Sequence, residues 1–218
     1  SGDDPVGEER AKQYALTLVP QVYRDVTPYL QATETPDIDL YFVGQDKGRL
    51  STLQTIQHAA DAAGVKTFQP FSDDQIKKVA ALAKDIVTRY QIPATNVLAH
   101  SDIAPTRKQD PGPLFPWKKL YDEYQIGMWY DEAAKQTLLA TSQTDISARY
   151  NEPSFIFMVQ TALQKFGYDL QPSGKWDDVT KKTIEALQYH FRPQNYDGIM
   201  DAETWAILQA LNQKYPSK

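Results

Sequence analysis

Cysteine is absent from all 218 residues of the chain. Disulfide bonds and cysteine-ligated zinc are therefore excluded, and any metal site must be built from histidine and carboxylate side chains. A long apolar run is also missing, because no stretch reaches the roughly 18 apolar residues of a membrane-spanning helix. The first residues, SGDDPVGEERAK, lack the basic start and apolar stretch of a signal peptide, so the sequence predicts no transmembrane segment and leaves export undecided.

Basic residues are fewer than acidic ones, with 23 Lys and Arg against 28 Asp and Glu, so the formal net charge is -5. Nucleic-acid binders use clustered Lys and Arg to displace the counterions of the phosphate backbone, so no nucleic-acid partner is expected. The chain does have 41% hydrophobic and 11% aromatic residues, which is enough to bury a core. Its length suits one domain of ordinary size and a smaller one.

Apolar spacing predicts several elements in the first half of the chain. Residues 8–30 have helical spacing, which predicts one kinked helix or two short ones, through Tyr14, Leu18, Val22 and Val26. The run IDLYFVG at 38–44 predicts a buried strand, and residues 50–63 predict a helix. A helix is expected to begin after Ser72, where Gln75 completes a capping box. The short apolar run 96–99 predicts a strand that ends just before His100.

The segment HSDIAPTRKQDPGPLFPW, residues 100–117, carries the candidate chemistry. His100 and Asp110 supply a nitrogen and an oxygen ligand, and a catalytic zinc needs three protein ligands and one open position. Lys108 could stabilise the oxyanion formed during amide hydrolysis. Four prolines in this segment predict an ordered loop. On spacing alone, an ordinary solvated loop with a structural histidine is the alternative.

This segment resembles the zinc loop of the zinc-dependent N-acetylmuramoyl-L-alanine amidases, a family that includes an outer-membrane lipoprotein amidase. The similarity extends upstream through GVKTFQPFSDDQIKKVAALAKDIVTRYQIPATNVLA and covers residues 64–126. The resemblance implies that His100 and Asp110 are zinc ligands and that Lys108 assists catalysis. It also implies a peptidoglycan or muropeptide substrate and a location in the bacterial cell envelope, in the periplasm or at the outer membrane.

The N-terminal part departs from the family pattern. The HYT-like motif with a first zinc histidine, the WHAG-type histidine and the GIE-type motif with a catalytic glutamate are all missing. Upstream of His100 the only histidine is His58, which is either a third zinc ligand from an unusual place or an ordinary helical histidine. Four carboxylates are candidates for the missing general base, each with an alternative as a surface group: Glu34, Asp37, Asp39 and Asp61.

The C-terminal part predicts three short helices with turns at SGKW and NYDG. The order VQTALQKFGY, SGKWDDVTKKTIEALQYHF and DGIMDAETWAIL resembles the peptidoglycan-binding type 1 module, a small three-helix bundle. Its regularly spaced apolar residues are interpreted as core. Trp176 is a candidate for stacking on a sugar, with packing beneath the turn as the alternative, and His190 is a second candidate for ligand binding.

The resulting prediction is an α/β amidase-like domain, with a mixed sheet flanked by helices, followed by a small all-α three-helix bundle. Residues 1–63 form its divergent N-terminal part, 64–130 the part with the zinc loop, 131–150 a partly helical linker and 151–218 the peptidoglycan-binding domain. The expected function is zinc-dependent hydrolysis of the bond between N-acetylmuramic acid and L-alanine. The alternatives are a catalytically impaired scaffold that binds peptidoglycan, and an N-terminal segment that binds an envelope protein partner.

Overall fold

The computed structural model describes residue 68, residues 70–217, and the backbone of two earlier strands. These strands are β1, Ala15–Pro20, and β2, Asp37–Phe42, and a third strand, β3, is Val97–Ala99. The three form one sheet in the order β2-β1-β3, and both pairings are parallel. Leu16 of β1 is in register with Ile38 on one side and Val97 on the other. The strands predicted from 38–44 and 96–99 are therefore confirmed.

The predicted mixed sheet is wrong. Within the described residues, both strand pairings are parallel and helices make up most of the structure. The predicted helix over 8–30 is also wrong where the structure describes it, because 15–20 is a strand. The sequence ALTLVP explains that error, since a short run with β-branched Thr17 and Val19 fits the two-residue strand period as well as the helical one. The predictions for 50–63, His58, Glu34, Asp61 and a partner-binding N-terminal segment fall outside the described residues.

Helix α1, Asp73–Tyr90, begins where the capping box predicts it. The Gln75 backbone N–H donates to Ser72 Oγ at 3.2 Å, and the Ser72 N–H donates to Gln75 Oε1 at 2.9 Å. The predicted apolar stripe is buried at Ile76, Val79, Ala80, Ala83 and Ile86. A 3₁₀ turn, Ala94–Asn96, follows and leads directly into β3.

The chain divides into two compact units. The first comprises 1–99 and 110–127, and the second comprises 100–109 and 128–218. In the first unit, helix α3, Trp117–Tyr124, is tied to α1 by a hydrogen bond of 2.9 Å from Lys84 Nζ to the Tyr124 carbonyl. The second unit begins with helix α2, His100–Ile103, a single turn. No helix in the described part of the chain is long and apolar enough to cross a membrane.

Four longer helices build the rest of the second unit. They are α4, Glu132–Arg149; α5, Pro153–Phe166; α6, Asp178–Phe191; and α7, Ala202–Lys214. The last three are the predicted three-helix bundle. The segment predicted as a partly helical linker, 131–150, contains the 18-residue helix α4, which packs against α7. Polar contacts join the two helices along their length, including Trp205 Nε1 to Asp145 Oδ2 at 3.1 Å and Gln209 Nε2 to Ser142 Oγ at 3.0 Å.

Two buried glutamines hold the two turns between these three helices in the same way. The side-chain oxygen of Gln160 accepts from the Gly174 N–H at 2.9 Å, and that of Gln188 accepts from the Gly198 N–H at 2.8 Å. Both glycines have a left-handed backbone, with φ of 73° and 74°, which L side chains adopt only with strain. Three residues after each glycine an aspartate caps the next helix. The bundle is thus built from a structural repeat that the apolar pattern did not indicate.

Replacing Gln160 with alanine is expected to lower the free energy of unfolding by about 2–3 kcal/mol. The Gln160 amide nitrogen donates to three oxygens, at 2.8–3.0 Å, and its oxygen accepts from two backbone N–H groups. A buried polar group that is left without a hydrogen-bond partner lowers the free energy of unfolding by about 1–3 kcal/mol. Urea unfolding followed by circular dichroism measures the change. The matched control is Gln164→Ala on the same helix, which removes one exposed side chain with a single 3.3 Å bond. Equal losses for the two variants would contradict the expectation.

Candidate functional site

His100 directly follows the buried end of β3 and begins α2. Ala99 is 1% exposed, whereas His100 is half-buried. The His100 carbonyl accepts a hydrogen bond of 3.0 Å from the Ala104 N–H, which closes the turn. The prediction that a strand ends just before His100 is therefore confirmed. A side chain at the end of a strand is carried by a rigid frame, which suits a metal ligand.

Lys108 lies in the tight turn that follows α2. The backbone N–H groups of Arg107 and Lys108 both donate to the Ala104 carbonyl, at 3.0 and 2.9 Å. The Lys108 side chain is exposed. The turn therefore fixes the backbone at Lys108 while the ammonium group keeps access to a ligand.

The segment from Asp110 to Trp117 is ordered by packing in the first unit, as its prolines predict. Asp110 is half-buried and precedes a cis peptide bond to Pro111. Gly112 has φ of 84°, and a Cβ there would lie 2.7 Å from Phe68 Cδ1, so only glycine fits. Phe115 is 2% exposed and contacts Trp117 edge-on, with ring centroids 4.9 Å apart. The loop that carries Asp110 is thus held by an aromatic core.

His100 and Asp110, the two ligands predicted most directly from the sequence, have donor types that suit zinc, and a catalytic zinc site takes three protein ligands. No group of three or more His, Cys, Asp or Glu side chains is arranged to hold a metal ion within the residues that the structure describes. His58, the third ligand predicted from the sequence, is outside those residues. The donor types of the two predicted ligands therefore fit zinc.

Asp102, in the middle of α2, is held from two sides in the second unit. Its Oδ1 accepts from the Tyr168 hydroxyl at 2.8 Å, and its Oδ2 lies 2.7 Å from His190 Nδ1. The Asp102 and His190 side chains are 7% and 0% exposed. Burial raises the pKa of the Tyr168 phenol well above its usual value, and the Asp102 carboxylate raises it further, so Tyr168 keeps its proton to donate. His190, a candidate for ligand binding by sequence, is therefore an interior residue.

Sequence reasoning missed Asp102 and Tyr168. The partners are 66 and 88 residues from Asp102 along the chain, and no local pattern joins them. The available signals were the position of Asp102 two residues after a candidate ligand and the position of Tyr168 immediately after a helix-ending glycine.

Trp176 lies in the first turn of the bundle and is partly buried. Its indole N–H donates to the Tyr150 carbonyl at 3.0 Å, and its ring stacks on the Tyr150 ring with centroids 5.0 Å apart. The edge of the Phe155 ring is a third contact. These contacts agree with packing beneath the turn, and a role in stacking on a sugar stays a prediction.

An open groove of about 610 Å³ runs along α4 in the second unit. Leu139 and Gln143 of α4 face Arg192 and the start of α7 across it. Arg192 pairs with Asp201 and also with Glu203, at 2.9 Å for the latter. Hydrogen bonding from Lys135 lowers the pKa of Glu203, against the opposing effect of burial. The paired charges leave a mixed polar and apolar surface, which suits a neutral, hydroxyl-rich or amide-rich ligand.

Comparison with known proteins assigns two segments of the chain to families. Residues 44–113 match the family "N-acetylmuramoyl-L-alanine amidase", and residues 154–208 match the family "Putative peptidoglycan binding domain". N-acetylmuramoyl-L-alanine amidase AmiD of Escherichia coli is 44% identical over 158 residues, 71% of this chain and 53% of that protein. The 1,6-anhydro-N-acetylmuramyl-L-alanine amidase AmpD of Enterobacter cloacae is 44% identical over 52 residues, 24% of this chain and 28% of that protein. The chain thus spans about half, or less, of these relatives.

Solved structures agree with these matches. The complex of Escherichia coli AmiD with anhydro-N-acetylmuramic acid-L-Ala-D-gamma-Glu-L-Lys has a TM-score of 0.64 at 36% identity, covering 86% of this chain and 65% of that one. AmpDh3 of Pseudomonas aeruginosa has a TM-score of 0.65 at 36% identity, covering 85% of this chain and 65% of that one. Both regions of sequence resemblance are therefore confirmed. The chain is therefore similar to N-acetylmuramoyl-L-alanine amidases over residues 44–113 and to peptidoglycan binding domains over residues 154–208.

Proposed function

We propose that this chain binds peptidoglycan and hydrolyses the amide bond between N-acetylmuramic acid and L-alanine. The observation that carries the proposal is the ordered segment 100–117, in which His100, Lys108 and Asp110 occur together at the end of the segment that matches the amidase family. The peptidoglycan binding domain that follows supports the same substrate. A relative that is 36% identical has been solved with an anhydro-N-acetylmuramic acid peptide, which has the same type of bond.

His100 and Asp110 would hold a catalytic zinc ion. Zinc, when bound, polarises the substrate carbonyl and lowers the pKa of a bound water to about 7. The third ligand would come from residues that the structure does not describe, and His58 is the candidate that the sequence offers. A carboxylate from the same part of the chain would act as general base.

Lys108 would act on the substrate carbonyl. Its ammonium group carries a full positive charge on a flexible stem, and its exposed side chain is attached to a backbone fixed by the Ala104 carbonyl. Donation of a hydrogen bond to the carbonyl oxygen, as that oxygen gains negative charge, would stabilise the transition state more than the ground state.

The groove along α4 is the proposed docking place for glycan or stem peptide. Its paired charges and open shape fit hydroxyl and amide groups, and Trp176 would contribute only if its ring were exposed on binding. Such a substrate is found in the bacterial cell envelope, so a periplasmic location is part of the proposal.

A non-catalytic peptidoglycan-binding scaffold is the second candidate. It is favoured by one observation, namely that the HYT-like and GIE-type motifs of the family are missing from the sequence. In that case the segment 100–117 would be retained as a structural loop, and the binding domain alone would define the function.

Incubation of the chain with purified sacculi distinguishes the two functions. The amidase predicts release of stem peptides with a free L-alanine amino terminus, inhibited by a chelator and restored by zinc. The scaffold predicts co-sedimentation with sacculi and no release. Folded protein that binds sacculi, contains no zinc after zinc loading and releases no peptide would overturn the amidase proposal.

A further inference from the structure

We infer that Tyr168 and His190 are positioning residues that act through Asp102 to fix the turn carrying His100. All four residues belong to the second unit of the chain. The part of this inference that concerns zinc rests on the proposed function. The peptidoglycan binding domain would then have two tasks, wall binding and orientation of a residue of the amidase site.

The Asp102 contacts are directional and shielded from water. Each carboxylate oxygen has its own partner, at 2.8 Å for the Tyr168 hydroxyl and 2.7 Å for His190 Nδ1. Both distances are within the range of well-formed hydrogen bonds. By contrast, the side chains of the Lys78–Asp74 pair on α1 are 70% and 63% exposed. Exposed ion pairs of this kind contribute little to the free energy of unfolding. The bonds to Asp102 therefore restrain its position.

Tyr168 and His190 are themselves held by packing. The His190 ring stacks on the Phe191 ring with centroids 3.9 Å apart. The Phe166 ring contacts the rings of both Phe191 and Tyr168, at 5.6 and 5.8 Å. The Tyr168 N–H donates to the Leu163 carbonyl at 3.1 Å, which ends α5. The side chains of Tyr168 and His190 are thus held in place by the interior of the domain, and Asp102 binds to both.

Helix α2 depends on such external contacts because it is only four residues long. One turn of helix fixes several dihedral angles for very few hydrogen bonds, so it has almost no stability of its own. His100 is two residues from Asp102 on this turn. A metal ligand must be held within about 0.5 Å of its working position by the residues around it. Loss of the Asp102 bonds would therefore loosen His100 without touching it.

Hydrogen exchange of the full chain tests the positioning itself. Tyr168→Phe removes one hydroxyl, and faster exchange is expected for the amides of 100–109. The matched control is Tyr189→Phe, which removes a tyrosine-to-carboxylate bond within the same domain, to Glu185 on α6. This control should leave 100–109 unchanged. The inference would be overturned if the amides of 100–109 exchanged in Tyr168→Phe at the same rate as in the parent chain or in Tyr189→Phe.

Zinc affinity tests the consequence for His100. Loss of a group that orients a metal ligand weakens binding by about 10–100-fold, so a change of that size is expected for Tyr168→Phe and for Asp102→Ala. Asp102→Asn, which keeps the shape and one acceptor, should restore part of the affinity. Sacculus binding should be unchanged in all variants.

The two proposals fail in different ways. If the parent chain binds no zinc, the proposed amidase function fails, while hydrogen exchange still decides whether Asp102 fixes the turn. If the parent binds zinc and Tyr168→Phe exchanges faster but binds zinc equally well, the positioning of His100 is overturned and the amidase proposal stands.

Discussion

Replacement of His100 with alanine is expected to remove bound zinc and to lower the rate of amide hydrolysis by more than about 100-fold. Loss of a group that only orients a ligand costs about 10–100-fold, so loss of the ligand itself should cost at least the upper end of that range. The side chain is half-buried at the end of β3, where no other histidine is close in the sequence to replace it. Elemental analysis after zinc loading, together with peptide release from sacculi, measures both effects.

His58→Ala is the informative companion to this variant. If His58 supplies the third ligand, both variants lose zinc, whereas an ordinary helical histidine leaves zinc content unchanged in His58→Ala. Sacculus binding should survive in both, because the peptidoglycan binding domain at 154–208 contains neither residue. Full zinc content in a folded His100→Ala variant would exclude His100 as a ligand.

The sequence predicted well those elements that are specified by local chemistry. Helix α1 has a capping box and a buried apolar stripe, and its start was predicted to the residue. The loop after His100 was expected to be ordered because of its four prolines, and its residues from 110 to 117 are ordered in the structure. In these cases a short stretch of chain contains the whole reason for its conformation.

Errors arose where distant residues decide the structure. Strand β1 was predicted as a helix because the apolar spacing of ALTLVP fits a helix as well as a strand. Only its pairing with β2 and β3 determines that it is a strand. The predicted mixed sheet was wrong because the direction of a strand depends on the connections between strands, and no local pattern encodes those connections. The segment 131–150 was predicted as a partly helical linker because it is polar, and the bonds from Ser142 and Asp145 of α4 to α7 could not be predicted from it.

The candidate site shows the same division. His100, Lys108 and Asp110 could be identified because the family motif places them within eleven consecutive residues. Asp102 could not be assigned a role, because its partner His190 is 88 residues away along the sequence. His190 also lies in the segment that matches a different family, the peptidoglycan binding domain. A buried carboxylate with two specific partners is a feature of the folded chain alone.

Replacement of Lys108 with alanine is expected to lower kcat by about 100–1,000-fold with little change in KM. A donor that acts on developing charge stabilises the transition state selectively, and removal of one such donor has an effect of this size. Zinc content and sacculus binding should be unchanged, because Lys108 is an exposed side chain and not a metal ligand type. Steady-state kinetics with a soluble muropeptide measure kcat and KM separately.

Arg107→Ala is the matched control, because Arg107 is also an exposed cation and its backbone N–H donates to the same Ala104 carbonyl. It removes the same charge one residue away and should leave kcat close to that of the parent chain. Equal losses in the two variants would mean that general positive potential, and not a hydrogen bond from Lys108, assists the reaction. Lys108→Arg adds a further criterion, since a guanidinium keeps the charge but changes the geometry and should restore activity only in part.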